Sequence, residues 1–406
     1  MSHIVFAWEL GYGLGHLSPL ATLGREFERR GHTVSFILRD LSRIGSLLDP
    51  GHFACYQAPI WLGRTTASAP SPATYADILL THGYADPQFV RGRAWAWRRL
   101  LTALDVDLMV FDHAPTALMA SEGLGMARVL YGSTFCAPPQ TDPLPHMQWW
   151  ERRGAENIQA NEKLALHTLN TLRREMGNRE RDKVASLFAT EANFLLGIEA
   201  LDHYPQRSGV TYHGPAPAPP PGHGASKIEW PRQGKQRLFV YLSPDYPIIE
   251  PLLAALAKSP YAILVYAPGL SPQQRRACAS YHLVMLDQPV DLSEIGRQCD
   301  AALGYGGAGA TLALLAAGCP LILLPRHIEQ LMLAKRAEQL GVAAVVSAPE
   351  IYQDYPKLLR RVLSDERYKE AAVRFAATQP KWLADQTVAV IADSCDELIA
   401  ARAGRA

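Results

Sequence analysis

The chain has 406 residues, more than one core comfortably serves, and typical domain sizes divide it into two domains of roughly 200 residues. Its 40 basic and 39 acidic side chains nearly cancel, which argues against nucleic acid or an anionic membrane surface as a partner. The start, MSHIVFAWEL, lacks the basic and apolar regions of a secretory signal, and no apolar run reaches the ~20 residues that span a bilayer, so a cytoplasmic setting is expected.

In chain order, the first apolar run, IVFAW (4–8), leads into the glycine-rich GYGLGH (11–16) and a helical pattern, LSPLATLGREFERRG, from Leu17. TVSFILR, LMVFD, ARVLYG and FLLGI follow as further apolar runs. Between Pro138 and Gly177 the pattern changes to a mostly helical insert in which Trp149 and Trp150 form an aromatic edge, as anchors on the sheet or as pocket lining. PAPAPPPGHGASK, from Pro215 to Lys227, has the composition of an extended, semi-rigid linker. After it come LFVYLS, AILVYA, LVMLD, AALGYG, LILLP and AAVVS, again separated by helical stretches, and a last helix over 381–400. Apolar strands alternating with amphipathic helices predict α/β architecture, with two Rossmann-like domains built on parallel sheets. The expected boundaries are a first domain over 1–214 with its insert at about 138–177, a linker over 215–230, a second domain over 231–380, and a terminal helix over 381–406.

Six cysteines, at 55, 136, 278, 299, 319 and 395, show no CxxC and no clustering with histidine, so neither a structural zinc nor a disulfide framework is expected. The richest glycine cluster lies in CDAALGYGGAGATLALLAAGCPLILLP (299–325), where glycines 304, 306, 307 and 309 form a turn before a helix from Thr311. Glycine lets backbone approach a ligand, and the amides at a helix start favour an anion such as a diphosphate. The first cluster has GxGxG rather than GxGxxG spacing, and neither cluster ends in GK[ST], which argues against dinucleotide-dependent hydride transfer and against a P-loop.

From the second cluster onward, GYGGAGATLALLAAGCPLILLPRHIEQLMLAKRAEQLGVA resembles the donor-binding motif of family 1 glycosyltransferases, nucleotide-sugar-dependent enzymes of GT-B fold. Gly306, Gly307 and Gly309 match the motif's glycines, Gly318 and Pro320 its GxP, Pro325 its proline, Glu329 and Gln330 its acid and amide, and Ala334 its alanine. GHLSPL is similar to the family's GHxxP turn, with His16 at the catalytic histidine and Pro19 at the proline. The similarity is closest to bacterial natural-product and macrolide-type UDP-glycosyltransferases. The chain departs from the pattern at Tyr305, where the motif has histidine, at Ala310, where it has a small hydroxyl residue, at Leu333, where asparagine is frequent, and in the loop LSPDYP.

The resemblance implies an inverting transfer of sugar from a UDP- or dTDP-sugar to a hydroxyl of a small-molecule acceptor, in a cleft between the domains, with the terminal helix over 381–406 packing back on the first domain. His16 would be the general base, suited by its near-neutral pKa, and Asp112 its orienting partner. Donor contacts would come from Ser243, Gln288, Tyr305, Gly306, Gly307, Ala308, Gly309, Ala310, His327, Glu329 and Gln330. Gly13 and Gly15 would keep space for the acceptor, with Trp149 and Trp150 at its pocket. No metal and no cofactor beyond the co-substrate is expected, and oligomeric state stays open. Asp105-Val106-Asp107 spells DxD, a metal-diphosphate ligand elsewhere, but it precedes its strand and reads as a solvated connection. Two alternatives stay open: a nucleotide-sugar epimerase or hydrolase on the same fold, and a non-catalytic nucleotide-sugar-binding or scaffold descendant.

Overall fold

The computed structural model describes residues 1–42, 44–63, 71–151, 157–217, 228–348, 354–380 and 384–404. The chain separates into two compact units: Met1–Pro219 with Trp382–Ala406, and Pro220–Lys381. Most of the proline-rich segment, 218–227, falls outside the described residues.

The first unit runs β1 (His3–Trp8), α1 (Leu14–Arg29), β2 (Thr33–Leu38), β3 (Ala54–Gln57), α2 (Tyr75–Leu79), α3 (Pro87–Leu104), β4 (Leu108–Asp112), α4 (Pro115–Ala120), β5 (Ala127–Ser133), α5 (Ile158–Glu175) and β6 (Ala192–Leu196). Its six strands are parallel, in the order β3-β2-β1-β4-β5-β6. β1 and β4 are buried along nearly their whole length, as expected of central strands covered on both faces. Among the described residues of the insert, the α-helix is α5 in its second half, from Ile158; proline at 138, 139, 143 and 145 removes amide donors from the first half.

The second unit contains β7 (Arg237–Tyr241), α6 (Ile249–Ala257), β8 (Ala262–Tyr266), α7 (Pro272–Ala277), β9 (Leu283–Leu286), α8 (Leu292–Gln298), β10 (Ala301–Gly304), α9 (Ala308–Ala316), β11 (Leu321–Leu323), α10 (Ile328–Gln339), β12 (Ala343–Val345), α11 (Tyr355–Ser364) and α12 (Glu366–Thr378). Its parallel order is β12-β11-β10-β7-β8-β9. Each sheet has its own apolar core, one containing Phe6, Phe27, Phe36 and Val110, the other Leu238, Val240, Ile263 and Leu303.

The last helix, α13 (Ala384–Ala403), belongs to the first unit. It buries Ile391, Ala392 and Cys395 in that core, and Arg30 at the end of α1 donates to Asp393 (2.6 Å) and Asp396 (2.8 Å). No described helix is long and apolar enough to cross a membrane.

Candidate active site

In each sheet the strand order reverses between two neighbours, and ligands of open parallel sheets bind beyond the carboxyl ends of strands at such points. In the first unit the neighbours are β1 and β4, whose register sets Trp8 opposite Asp112. Beyond Trp8 the chain turns through Gly11 (φ 89°) and Gly13 (φ 85°), backbone that side chains other than hydrogen rarely adopt. α1 then begins at Leu14, so His16 is its third residue and does not cap a helix starting at Leu17.

His16 Nδ1 lies 2.8 Å from Asp112 Oδ2, and the two side chains are only 12% and 5% exposed. With a carboxylate accepting at Nδ1, the proton sits there and Nε2 keeps its lone pair. The indole of Trp8 stacks on the imidazole (5.4 Å between ring centres, 18° between planes) and is itself pinned by Nε1 donating to Leu10 O at 2.6 Å. A Cβ at Gly11 would lie 2.3 Å from His16 Nε2, and one at Gly132, on β5, 2.4 Å from Asp112 Oδ1. Room around the pair is therefore made by Gly11 and Gly132. A Cβ at Gly13 or Gly15, the glycines singled out in the sequence, would meet nothing within 4 Å.

His113 follows Asp112 with φ 45° and is buried, its ring 6.1 Å from that of His16 and within 6 Å of Tyr75 and Phe135. Glu9, directly after β1, is fully buried and accepts from Thr116 N (2.7 Å) and Thr116 Oγ1 (2.5 Å); burial raises its pKa. Trp149 donates to His203 O (3.2 Å) and meets Trp150 edge-on at 5.1 Å, and both rings are half-buried within the first unit. The DxD sits at the amino ends of β4 and β1, the opposite end of these strands from His16 and Asp112, where Asp105 ends α3 with φ 49° and Asp107 accepts from His3 N at 2.7 Å.

In the second unit the neighbours at the reversal are β10 and β7, with Gly304 opposite Tyr241. Gly307 caps α9, which starts at Ala308, so Gly309 and Ala310 belong to its first turn. The amides of that turn have no intrahelical partners and point along the helix dipole, the arrangement that holds anions. Gly306 (φ 85°) is buried against α10: a Cβ there would stand 3.3 Å from Gln330 O. Tyr305 packs at 5.9 Å from Tyr241, and burial raises the pKa of both phenols.

The remaining residues expected to contact the donor follow other strands of this sheet: Ser243 after β7, Gln288 after β9, and His327, Glu329 and Gln330 after β11. His327 caps α10, Glu329 is half-buried in its first turn, and Gln330 Oε1 accepts from Arg326 N at 2.9 Å. Ser243 donates to Asp245, which also takes a two-pronged bond from Arg326 (3.0 and 3.1 Å). The Arg326 guanidinium and the Ser243 hydroxyl hold the Asp245 carboxyl down at about 2. The sequence reading missed Asp245 and Arg326, as it did Trp8, Gly11, Gly132 and Cys136. Their position within a few residues of a strand's carboxyl end was the available signal.

Residues 282–398 match the family described as "Erythromycin biosynthesis protein CIII-like, C-terminal domain". No curated protein matches the sequence. Among solved structures, the chain is similar to the glycosyltransferase SnogD from Streptomyces nogalater, with 18% identity, 96% of this chain and 99% of that one covered, and a TM-score of 0.58. The glycosyltransferase VinC, solved in complex with dTDP, gives 16%, 97%, 100% and 0.65. The calicheamicin glycosyltransferase CalG4 gives 18%, 100%, 98% and 0.65. The tandem Rossmann-like, GT-B architecture expected from the sequence is the fold of this chain.

Proposed function

We propose that the protein is an inverting glycosyltransferase that moves a sugar from a UDP- or dTDP-sugar to a hydroxyl of a small-molecule acceptor. The observation that carries this reading is the 2.8 Å bond between His16 and Asp112 at the reversal point of the first sheet. His16 Nε2 takes the hydroxyl proton as the acceptor oxygen attacks the anomeric carbon, and Asp112 stabilises the resulting imidazolium. The bond from that carbon to the nucleoside diphosphate breaks, and the leaving oxygen keeps the electron pair. The amides at the start of α9 stabilise that charge, so the reaction needs no metal and no cofactor beyond the co-substrate. Glu329 and Gln330 would bind sugar hydroxyls.

Thermal unfolding with UDP, dTDP and their sugars, with and without magnesium, tests the donor half. A ligand at 100 times its Kd should add about 2.7 kcal/mol. Stabilisation independent of magnesium is expected, and dTDP is the first nucleotide to try because VinC holds it. Tyr305 and Ala310 favour a second reading, a binding protein that has lost turnover. Stabilisation without transfer to any acceptor hydroxyl would support that reading, and no shift with any nucleotide would overturn both. Donor turnover with no acceptor present would point to a hydrolase or epimerase.

A further inference from the structure

Cys136 has no part in the transfer chemistry, yet its thiol lies beside the base. One ligand atom from each of His16, Asp112 and Cys136 lies within 4.8 Å of the other two. The three side chains arrive from the first turn of α1, the end of β4 and the short turn Thr134–Cys136 beyond β5, so no spacing in the sequence announces them. Cys136 is 3% exposed, and His16, at 12%, is the side open to solvent. Asp112 is 4% exposed; Oδ2 is committed to His16, whereas Oδ1 is buried and has no hydrogen-bond partner among the described residues. A buried carboxylate oxygen without a partner is costly, and a cation is one group that would satisfy it.

An imidazole nitrogen, a thiolate sulfur and a carboxylate oxygen together suit a borderline-soft divalent cation. Magnesium prefers an all-oxygen shell. We propose that His16, Asp112 and Cys136 form a binding site for zinc-class cations, with a fourth position left for water. On binding, the Cys136 thiol releases its proton to solvent, and two anionic ligands neutralise the dication. His16 coordinates through one nitrogen and carries its proton on the other, so neither nitrogen is left to accept a hydroxyl proton. Occupancy therefore silences the base; this consequence rests on the proposed transfer, whereas the binding does not.

Titration of the metal-free full chain with zinc chloride, followed by calorimetry without nucleotide or acceptor, tests the site. One zinc per chain is expected, with affinity at least about tenfold weaker in both Cys136→Ala and Cys136→Ser. Cobalt substitution should give a thiolate-to-metal absorption that both variants lack, and magnesium should give no heat. Unchanged zinc affinity in the two Cys136 variants, or no stoichiometric binding by the wild type, would overturn the proposal. Because the readout is binding, its failure is distinct from failure of the transfer reading. If transfer is observed, zinc should inhibit Cys136→Ala at least about tenfold less than the wild type.

Discussion

The turn after β1 and the turn after β10 share a frame and present different chemistry. Each follows a strand at the reversal point of its sheet, bends through positive-φ glycine, and opens a helix. The first places a side chain in the helix's opening turn, backs it with a carboxylate from the neighbouring strand, and clears space around it with Gly11 and Gly132. The second presents backbone, and its buried Gly306 serves close packing onto α10. One supersecondary unit thus presents a paired imidazole in one case and the free amides of a helix start in the other. Residues at the neighbouring strand ends decide which.

The sharpest way to break this contrast is His16→Ala. Loss of a general base should lower transfer by about 10²–10⁴-fold, while nucleotide-induced stabilisation of the protein stays at the wild-type value. Wild-type turnover in the variant would remove His16 as the base and, with it, the distinction between the turns.

A matched pair of smaller changes sharpens it. Gly11→Ala puts a methyl 2.3 Å from His16 Nε2 at φ 89°, so it should cost about 1–3 kcal/mol of stability and reduce transfer with nucleotide affinity unchanged. In Gly306→Ala the methyl meets Gln330 O at 3.3 Å, at φ 85°. That variant should weaken nucleotide binding several-fold and leave the effect of His16→Ala on transfer unchanged. Calorimetric nucleotide affinities measured side by side decide the matter, and equal losses in both would mean that the turns are not specialised.

Much of the fold was legible because central parallel strands are nearly all apolar and bounded by turn residues, as in IVFAW, LMVFD and AILVYA. β3, four partly exposed residues at the sheet edge (ACYQ), carried no such run. The starts of α1 and α9 were placed three residues late because Gly13, Gly15, Gly307 and Gly309 have poor helix propensity and hide the first turn. The pairing of His16 with Asp112 was expected from the GHxxP-like turn and from where the resemblance sets a carboxylate at the end of LMVFD, whereas Cys136, Trp8 and Gly132 join them only through strand order and register. The Asp245–Arg326 pair likewise spans the ends of β7 and β11, a juxtaposition the linear chain does not state. α13 has a core-facing stripe readable in sequence, but its place against α1 depends on the partners of Arg30.

That anchoring supplies the smallest test, because α1 carries His16 at one end and the contact with α13 at the other. At that far end Glu26 accepts from Arg29 (2.7 and 2.8 Å) and from Arg30 (2.8 Å), which also reaches Asp393 and Asp396. The Arg29 hydrogen bonds lead in holding the Glu26 carboxyl down at about 2, against an ordinary 4.5. A carboxylate whose pKa is depressed by folding contributes stability above its unfolded pKa and loses it as pH falls through the folded value. The wild type should therefore lose stability more steeply than Glu26→Gln between about pH 4.5 and pH 2. At neutral pH the variant should be less stable by only about 1 kcal/mol, since Arg29 is largely exposed and its share is screened. Thermal midpoints across an acid series would show this. Parallel slopes for the two proteins would mean that the bonds from Arg29 and Arg30 to Glu26 add nothing to the end of α1 that meets α13.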